Sequence, residues 1–134
     1  MLISDFFNYE VDFTAGIAAG GTANSSFTVQ ADSDFKWLKA CYFADIAVAA
    51  QTDSARVVPL ATVLITDQGS GRQLMSAATP IPNIFGTGQI PFILPVPKIF
   101  ASKSTISVSV VNFSAASTYN IRLSFIGVKL FKQG

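Results

Sequence analysis

Two runs of strict alternation in the last third of the chain limit its folding more than any other feature. From Thr105 to Val110 polar and apolar residues take turns, so Ile106, Val108 and Val110 share one face of a strand. After the small polar stretch Asn112 to Thr118, a second run places Tyr119, Ile121, Leu123 and Phe125 on one face, with Asn120, Arg122 and Ser124 on the other. Two alternating runs joined by a short polar loop predict a long antiparallel hairpin. Beyond Phe125 the apolar residues Ile126, Val128 and Leu130 fall on even numbers, and Gly127 sits at the change of phase. A bulge at Gly127 would allow the switch and bend the strand toward a second sheet. The alternative is a strand end buried on both faces.

The rest of the chain extends the same pattern. Phe7–Phe13 alternates as a half-buried strand, and Ser26–Ala31 does so with Phe27, Val29 and Ala31 inward. Asp32-Ser33-Asp34 forms an acidic turn before the long apolar strand Phe35–Ile46, whose two greasy faces suit a strand central to a sandwich or one that also faces a partner. Thr14 to Asn24, rich in Ala and Gly, reads as a flexible connection, and Val48 to Ser54 as a turn. Val57–Thr66 is a further strand, placed at an edge or bulge by Pro59, and Arg72–Met75 is a short returning one. No window holds helical spacing over three turns. About eight short strands predict an all-β fold, an antiparallel two-sheet sandwich, jelly roll or barrel. At 134 residues the chain is one domain, 1–134, large enough to bury about two-thirds of its unfolded surface.

Two segments stand apart from the strands. Leu2, Ile3 and Phe6 are out of phase with the first strand and predict an N-terminal arm at 1–6 that reaches a neighbouring subunit. Residues 79–97 hold five of the six prolines, Pro80, Pro82, Pro91, Pro95 and Pro97, a composition that excludes a helix or a central strand. A proline-stiffened loop loses little entropy on docking, so 79–97 is a candidate contact loop. The alternative is a loop folded over its own core. The candidate partner-contact residues are therefore Leu2, Ile3, Phe6 and Phe7 at the start, with Ile81, Ile84, Phe85, Ile90 and Phe92 in the loop.

Composition bears on what the chain can do. Charged residues make up only 13%, against about 25% in an average soluble domain, while hydrophobic residues reach 50%. No apolar run approaches the ~20 residues of a membrane-spanning helix. Residues 1–10 lack the basic start of a signal peptide and carry acids early. A non-membrane chain with so few charges is expected to bury part of its outside against other chains. A greasy, Ser/Thr-rich monomer is the alternative. Nine Lys plus Arg balance eight Asp plus Glu without a basic stripe, which argues against nucleic acid and polybasic membrane attachment.

Catalysis finds no support in the residues. Histidine is absent, which removes the commonest general base and the commonest transition-metal ligand. The single cysteine, Cys41, lies among apolar neighbours and reads as a small buried residue. Asp32 and Asp34 do not follow a calcium-loop pattern, Asp45 is the one acid on an apolar strand, and Trp37 reads as core beside Phe35. No enzyme activity, catalytic residue, metal or cofactor is expected.

A resemblance sharpens this reading. Val96-Pro97-Lys98-Ile99-Phe100 leads into Ser107-Val108-Ser109-Val110-Val111-Asn112-Phe113-Ser114. The chain then closes on Tyr119-Asn120-Ile121-Arg122-Leu123-Ser124-Phe125-Ile126-Gly127-Val128-Lys129. With Phe27-Thr28-Val29-Gln30-Ala31-Asp32-Ser33-Asp34-Phe35-Lys36-Trp37, these stretches resemble small structural proteins of tailed bacteriophages, over residues 26–46 and 91–130. Within that class the chain most resembles jelly-roll cement, or capsid decoration, proteins. The resemblance implies a jelly roll without cofactor, a homo-oligomer (dimer or trimer), and the major capsid protein as partner. It further implies assembly in the bacterial host cytoplasm and a place in the virion, on the outer capsid surface. A phage tail, neck or adsorption component, a glycan-binding β-sandwich and a non-viral oligomeric binding module are the competing readings.

Overall fold

The computed structural model describes residues 2–13, 16–46, 58–87, 89–115 and 118–132, with Leu2, Ile3, Ile46 and Lys132 entering through their backbones alone. The turn expected over Val48–Ser54 lies outside the described residues. The described residues form nine strands: β1 (Leu2–Asp12), β2 (Thr22–Thr28), β3 (Asp34–Ile46), β4 (Ala61–Asp67), β5 (Arg72–Gln73), β6 (Thr79–Pro80), β7 (Phe92–Phe100), β8 (Thr105–Asn112) and β9 (Tyr119–Lys132). One short helix, α1 (Ile81–Ile84), follows β6.

The pairings between these strands are antiparallel and build two sheets, and one parallel bridge joins Cys41 to Gly86. One sheet runs β1-β9-β3-β7; the other runs β2-β8-β4-β5, with β6 also on β4. Successive long strands alternate between the sheets, which is the double Greek key of a jelly roll. The all-β sandwich expected from the alternation is the fold observed.

The expected C-terminal hairpin is not formed. β8 pairs with β2 and β4, whereas β9 pairs with β1 and β3. Each run has one apolar face, and that face can be buried by packing across a sandwich as well as beside a hairpin partner. Here β8 and β9 meet face to face: Ile106, Val108 and Val110 from one, Ile121, Leu123 and Phe125 from the other, all buried. The chain leaves β8 at Asn112, which is fully buried. Its Nδ2 donates to Ile17 O at 2.8 Å, and its Oδ1 accepts the Ser114 N–H at 2.9 Å. Asn112→Ala should therefore cost about 2 kcal/mol, a buried amide's worth of lost hydrogen bonds, read as a lowered urea midpoint. A cost indistinguishable from zero would show that the corner does not depend on it.

An aromatic cluster fills the core. Phe125 packs at 4.7 Å from Trp37, 4.9 Å from Phe27 and 5.7 Å from Phe85, ring centre to ring centre, and Trp37 stacks on Phe100 at 6.0 Å. Trp37 thus lies in the core as the sequence predicts, and its Nε1 donates to Lys39 O at 2.7 Å.

That bond spans a bulge. Trp37 lies opposite Gly127 and Lys39 opposite Ile126, so Leu38 is an extra residue on β3. The irregularity falls at Gly127, but β9 itself keeps an unbroken register with β1. Odd residues stay inward through Lys129, and Ile126, Val128 and Leu130 lie on the outer face, half-buried. The expected change of phase in β9 does not occur, because the neighbouring strand absorbs the extra residue. Lys129 can point inward because its ammonium binds Gln30 Oε1, pairs with Asp32 at 3.3 Å and sits 4.2 Å above the Phe7 ring.

Three further expectations change. Residues 2–6 are no arm but the start of β1, paired with β9 from Leu2–Lys132 onward. The Ala/Gly connection is not free of packing: Ile17 is buried and bridges to Tyr119. Pro59 precedes β4 instead of lying in it, so β4 takes an interior position beside β8.

Candidate interaction surface

The outer faces of the two sheets differ in chemistry. The β2-β8-β4 face carries Asn24, Ser26, Ser107, Ser109 and Thr66, with Leu64 among them, around a shallow depression of about 400 Å³. Small neutral hydroxyls and amides, which are well hydrated, dominate this face.

The β1-β9-β3-β7 face is apolar at one end. Residues directly opposite one another in a sheet share a face. Phe6 lies opposite Val128, Val128 opposite Lys36, and Lys36 opposite Ile99, a row crossing all four strands. The next row runs Asn8, Ile126, Lys39 and Ile93, and Leu130 closes the patch beside Ser4. Phe6 is 74% exposed, Ile93 65% and Ile99 52%. Toward the other end the face turns mostly polar, with Glu10 accepting from Ser124 Oγ at 2.6 Å and Asp12 3.7 Å from Arg122, although Phe43 beside Arg122 is also exposed.

A protrusion borders the patch. Trp37 faces Lys98 and Lys39 faces Ile93, so Leu94 to Pro97 stand out opposite the single residue Leu38. Pro95 and Pro97 stiffen this loop-out, and Val96 at its crest is 78% exposed. Behind it a groove of about 270 Å³ is lined by Trp37, Met75, Ile84, Phe92, Leu94 and Val96.

The structure scatters the nine predicted contact residues. Ile81 and Phe85 are fully buried and seal the core beneath α1, so their side chains are unavailable to a partner. They belong to a proline-bounded helical turn that closes one side of the sandwich, the self-packed alternative for this segment. Phe7 is an inward residue packed against the core, with its ring 4.8 Å from Tyr9. Ile84 and Phe92 are half-buried in the groove, Ile90 is 79% exposed, and Phe6 alone joins the apolar rows. The side chains of Leu2 and Ile3 lie outside the described residues. Residues 79–97 are accordingly not one loop: they comprise β6, α1, a turn held by Thr87 N–H to Ile90 O at 3.0 Å, and the first half of β7.

Ile93, Val96, Ile99, Ile126, Val128 and Leu130 were not among the predicted contacts. For the last three no local signal marked the outer face: the odd-numbered apolar series ends at Phe125, and Gly127 and Lys129 follow it.

The remaining singled-out residues have structural partners. Asp45 is buried and accepts from Asn120 Nδ2 at 3.0 Å. Asp34 accepts the Ser102 N–H at 2.9 Å. Cys41 lies under Gly86 and Thr87, and burial pushes its thiol pKa up, offset in part by Lys39. Among the described residues no three of Cys, Asp and Glu gather in a way that could hold a metal ion. No helix among them is long and apolar enough to cross a membrane.

No family model and no curated protein matches the chain. Among solved structures it is similar to VP2 of infectious bursal disease virus in a subviral particle, at 13% identity and a TM-score of 0.36, over 98% of this chain and 32% of that one. An exo-β-1,3-galactanase from Phanerochaete chrysosporium with galactose gives 16% identity and a TM-score of 0.34, over 93% of this chain and 29% of that one. A structure of the Gt strain of infectious bursal disease virus gives 9% and 0.29, over 100% and 38%. The chain spans about a third of the length of these structures. Viral capsid proteins and a glycoside hydrolase share the likeness, which selects no activity for this chain.

Proposed function

We propose that this chain is a non-enzymatic structural protein of a virion, a cement subunit that binds the outer surface of a bacteriophage head and ties major capsid subunits together. The observation that carries this reading is the apolar end of the β1-β9-β3-β7 face, where Phe6, Val128 and Ile99 lie in one row across the sheet. Exposed apolar area of this kind, flanked by polar residues, is the usual mark of a protein contact. A hydrogen-bonded sheet face with a proline-stiffened ridge beside it keeps its shape when it docks, so association costs little ordering entropy. Lys36 and Lys39 within the rows supply the positive points that an acidic patch on a capsid subunit would meet. Scarcity of charge and the resemblance of residues 26–46 and 91–130 to phage cement proteins support the same reading. Repetition over a symmetric lattice turns many modest contacts into large total stability.

The test uses Ile99→Glu and Val128→Glu, which place a carboxylate on the outer face without touching the core. Both variants are expected to keep the wild-type melting temperature within a few degrees. Both should fail to co-sediment with heads assembled without the protein, while the wild type saturates them. Variants that decorate heads as well as the wild type would exclude this face as the contact.

A further inference from the structure

The outer edge of β1 is open, and its pattern fits a second copy of itself. A bare strand edge offers a row of unpaired N–H and C=O groups, and stable monomers guard such edges with proline, lysine, bulges or very short strands. Three of this protein's edge strands are guarded in those ways. β7 carries Pro95, Pro97, Lys98 and the four-residue protrusion, while β5 and β6 have two residues each, and β6 ends in Pro80. β1 is guarded only by its acids, Asp5, Glu10 and Asp12: it runs for 11 residues without proline, lysine or a register shift and pairs with β9 alone. β2, the other edge on that side, is shorter, and its outward residues Thr22, Asn24, Ser26 and Thr28 offer a neighbour nothing apolar.

The free groups can be assigned. Phe13 N–H donates to Ile121 O at 2.7 Å, in line with the β1–β9 register. Antiparallel ladders alternate, so odd-numbered residues of β1 direct their backbone groups to β9 and even-numbered ones direct theirs outward. Ser4, Phe6, Asn8 and Glu10 thus present the open edge.

We propose that β1 pairs antiparallel with β1 of a second copy about a two-fold axis, joining two four-stranded sheets into one. Such a pairing must set even residues against even ones, to match both the hydrogen bonds and the two faces of the sheet. The register that overlaps the whole strand meets this condition, with Phe7 opposite its counterpart and Phe6 opposite Asn8. In it no acid faces an acid: Asp5 lies opposite Tyr9, Glu10 opposite Ser4 and Asp12 opposite Leu2. Like charges directly opposite destabilise a strand pair, and the only charges on this strand are acids, so their spacing matters. The pairing would also bring the apolar rows of both copies onto one continuous outer face. The inference does not rest on the capsid reading, because the dimer forms without heads.

Sedimentation equilibrium over a concentration series tests it, together with Asn8→Pro. Proline at an even position removes an outward N–H and no bond to β9. The wild type is expected to be a dimer and Asn8→Pro a monomer with unchanged circular dichroism. Amide hydrogen exchange of the wild type provides a readout independent of that variant's folding. Protection of Phe6, Asn8 and Glu10 should rise with concentration, and that of β2 should not. A wild-type monomer at hundreds of micromolar, a closed trimer, a dimer that survives in folded Asn8→Pro, or concentration-dependent protection on β2 would each overturn the assignment. Failure of head binding with the dimer intact would leave it standing and count against the capsid reading alone.

Discussion

Gly127→Ala should destabilise the protein by more than about 3 kcal/mol, a large share of the roughly 5–15 kcal/mol that holds a domain of this size together. The reason is proximity. A Cβ at position 127 would lie 2.0 Å from Lys36 O and 2.9 Å from Lys36 C, both backbone atoms of the adjoining strand. β3 comes this close because its extra residue, Leu38, buckles the strand toward β9 at that point. Neither strand can retreat: β9 is the second strand of its sheet and β3 the third, each bonded on both sides. Gly71→Ala provides the contrast. Gly71 has φ of +72° and open space around it, so alanine there incurs backbone strain alone, about 1 kcal/mol. Urea denaturation of both variants separates the effects. If Gly127→Ala unfolds at the same urea concentration as Gly71→Ala, the strands do not approach as described.

Phe125→Ala should cost about 3–5 kcal/mol, the usual range for deleting a fully buried ring. Phe125 is the hub of the aromatic cluster. It contacts Phe27 from the opposite sheet, Trp37 from the adjacent strand and Phe85 from the segment after α1. Its removal leaves a void bounded by rings on separate elements, and rigid neighbours collapse poorly into such a space. Phe125→Leu, which refills most of the volume, should recover more than half of the loss. Thermal unfolding of the two variants checks the order. Equal costs for alanine and leucine would mean that ring geometry, and not filled volume, matters at this position.

Much of this architecture was legible in the chain. Period-two alternation located β8 and the first half of β9, because a strand with one buried face must write that face into every second residue, and a long apolar run marked the central β3. Trp37 and Cys41 were legible as buried from their apolar neighbours. Pairing was not legible. The alternation in 105–110 and 119–125 records which face is buried but not what covers it, so the hairpin and the face-to-face arrangement fit the same letters. Only the loop geometry at Asn112, with its long-range bond to Ile17 O, separates them. The contact surface was misplaced for a related reason. Apolar residues in a proline-rich stretch read as exposed, yet Ile81 and Phe85 close the core.

By itself the sequence determined an all-β fold of about eight strands and a chain short of charge. These follow from composition and from a local period that holds for any pairing of the strands. The tertiary structure decided which strands adjoin, which residue bulges and which apolar side chains stay outside. Lys129 shows why. A lysine between two aliphatic residues reads as outward until Gln30, Asp32 and the Phe7 ring, distant in sequence, gather around its ammonium. With that charge satisfied inside, Ile126, Val128 and Leu130 must face out. The exposed apolar rows on which the functional proposal stands are the consequence.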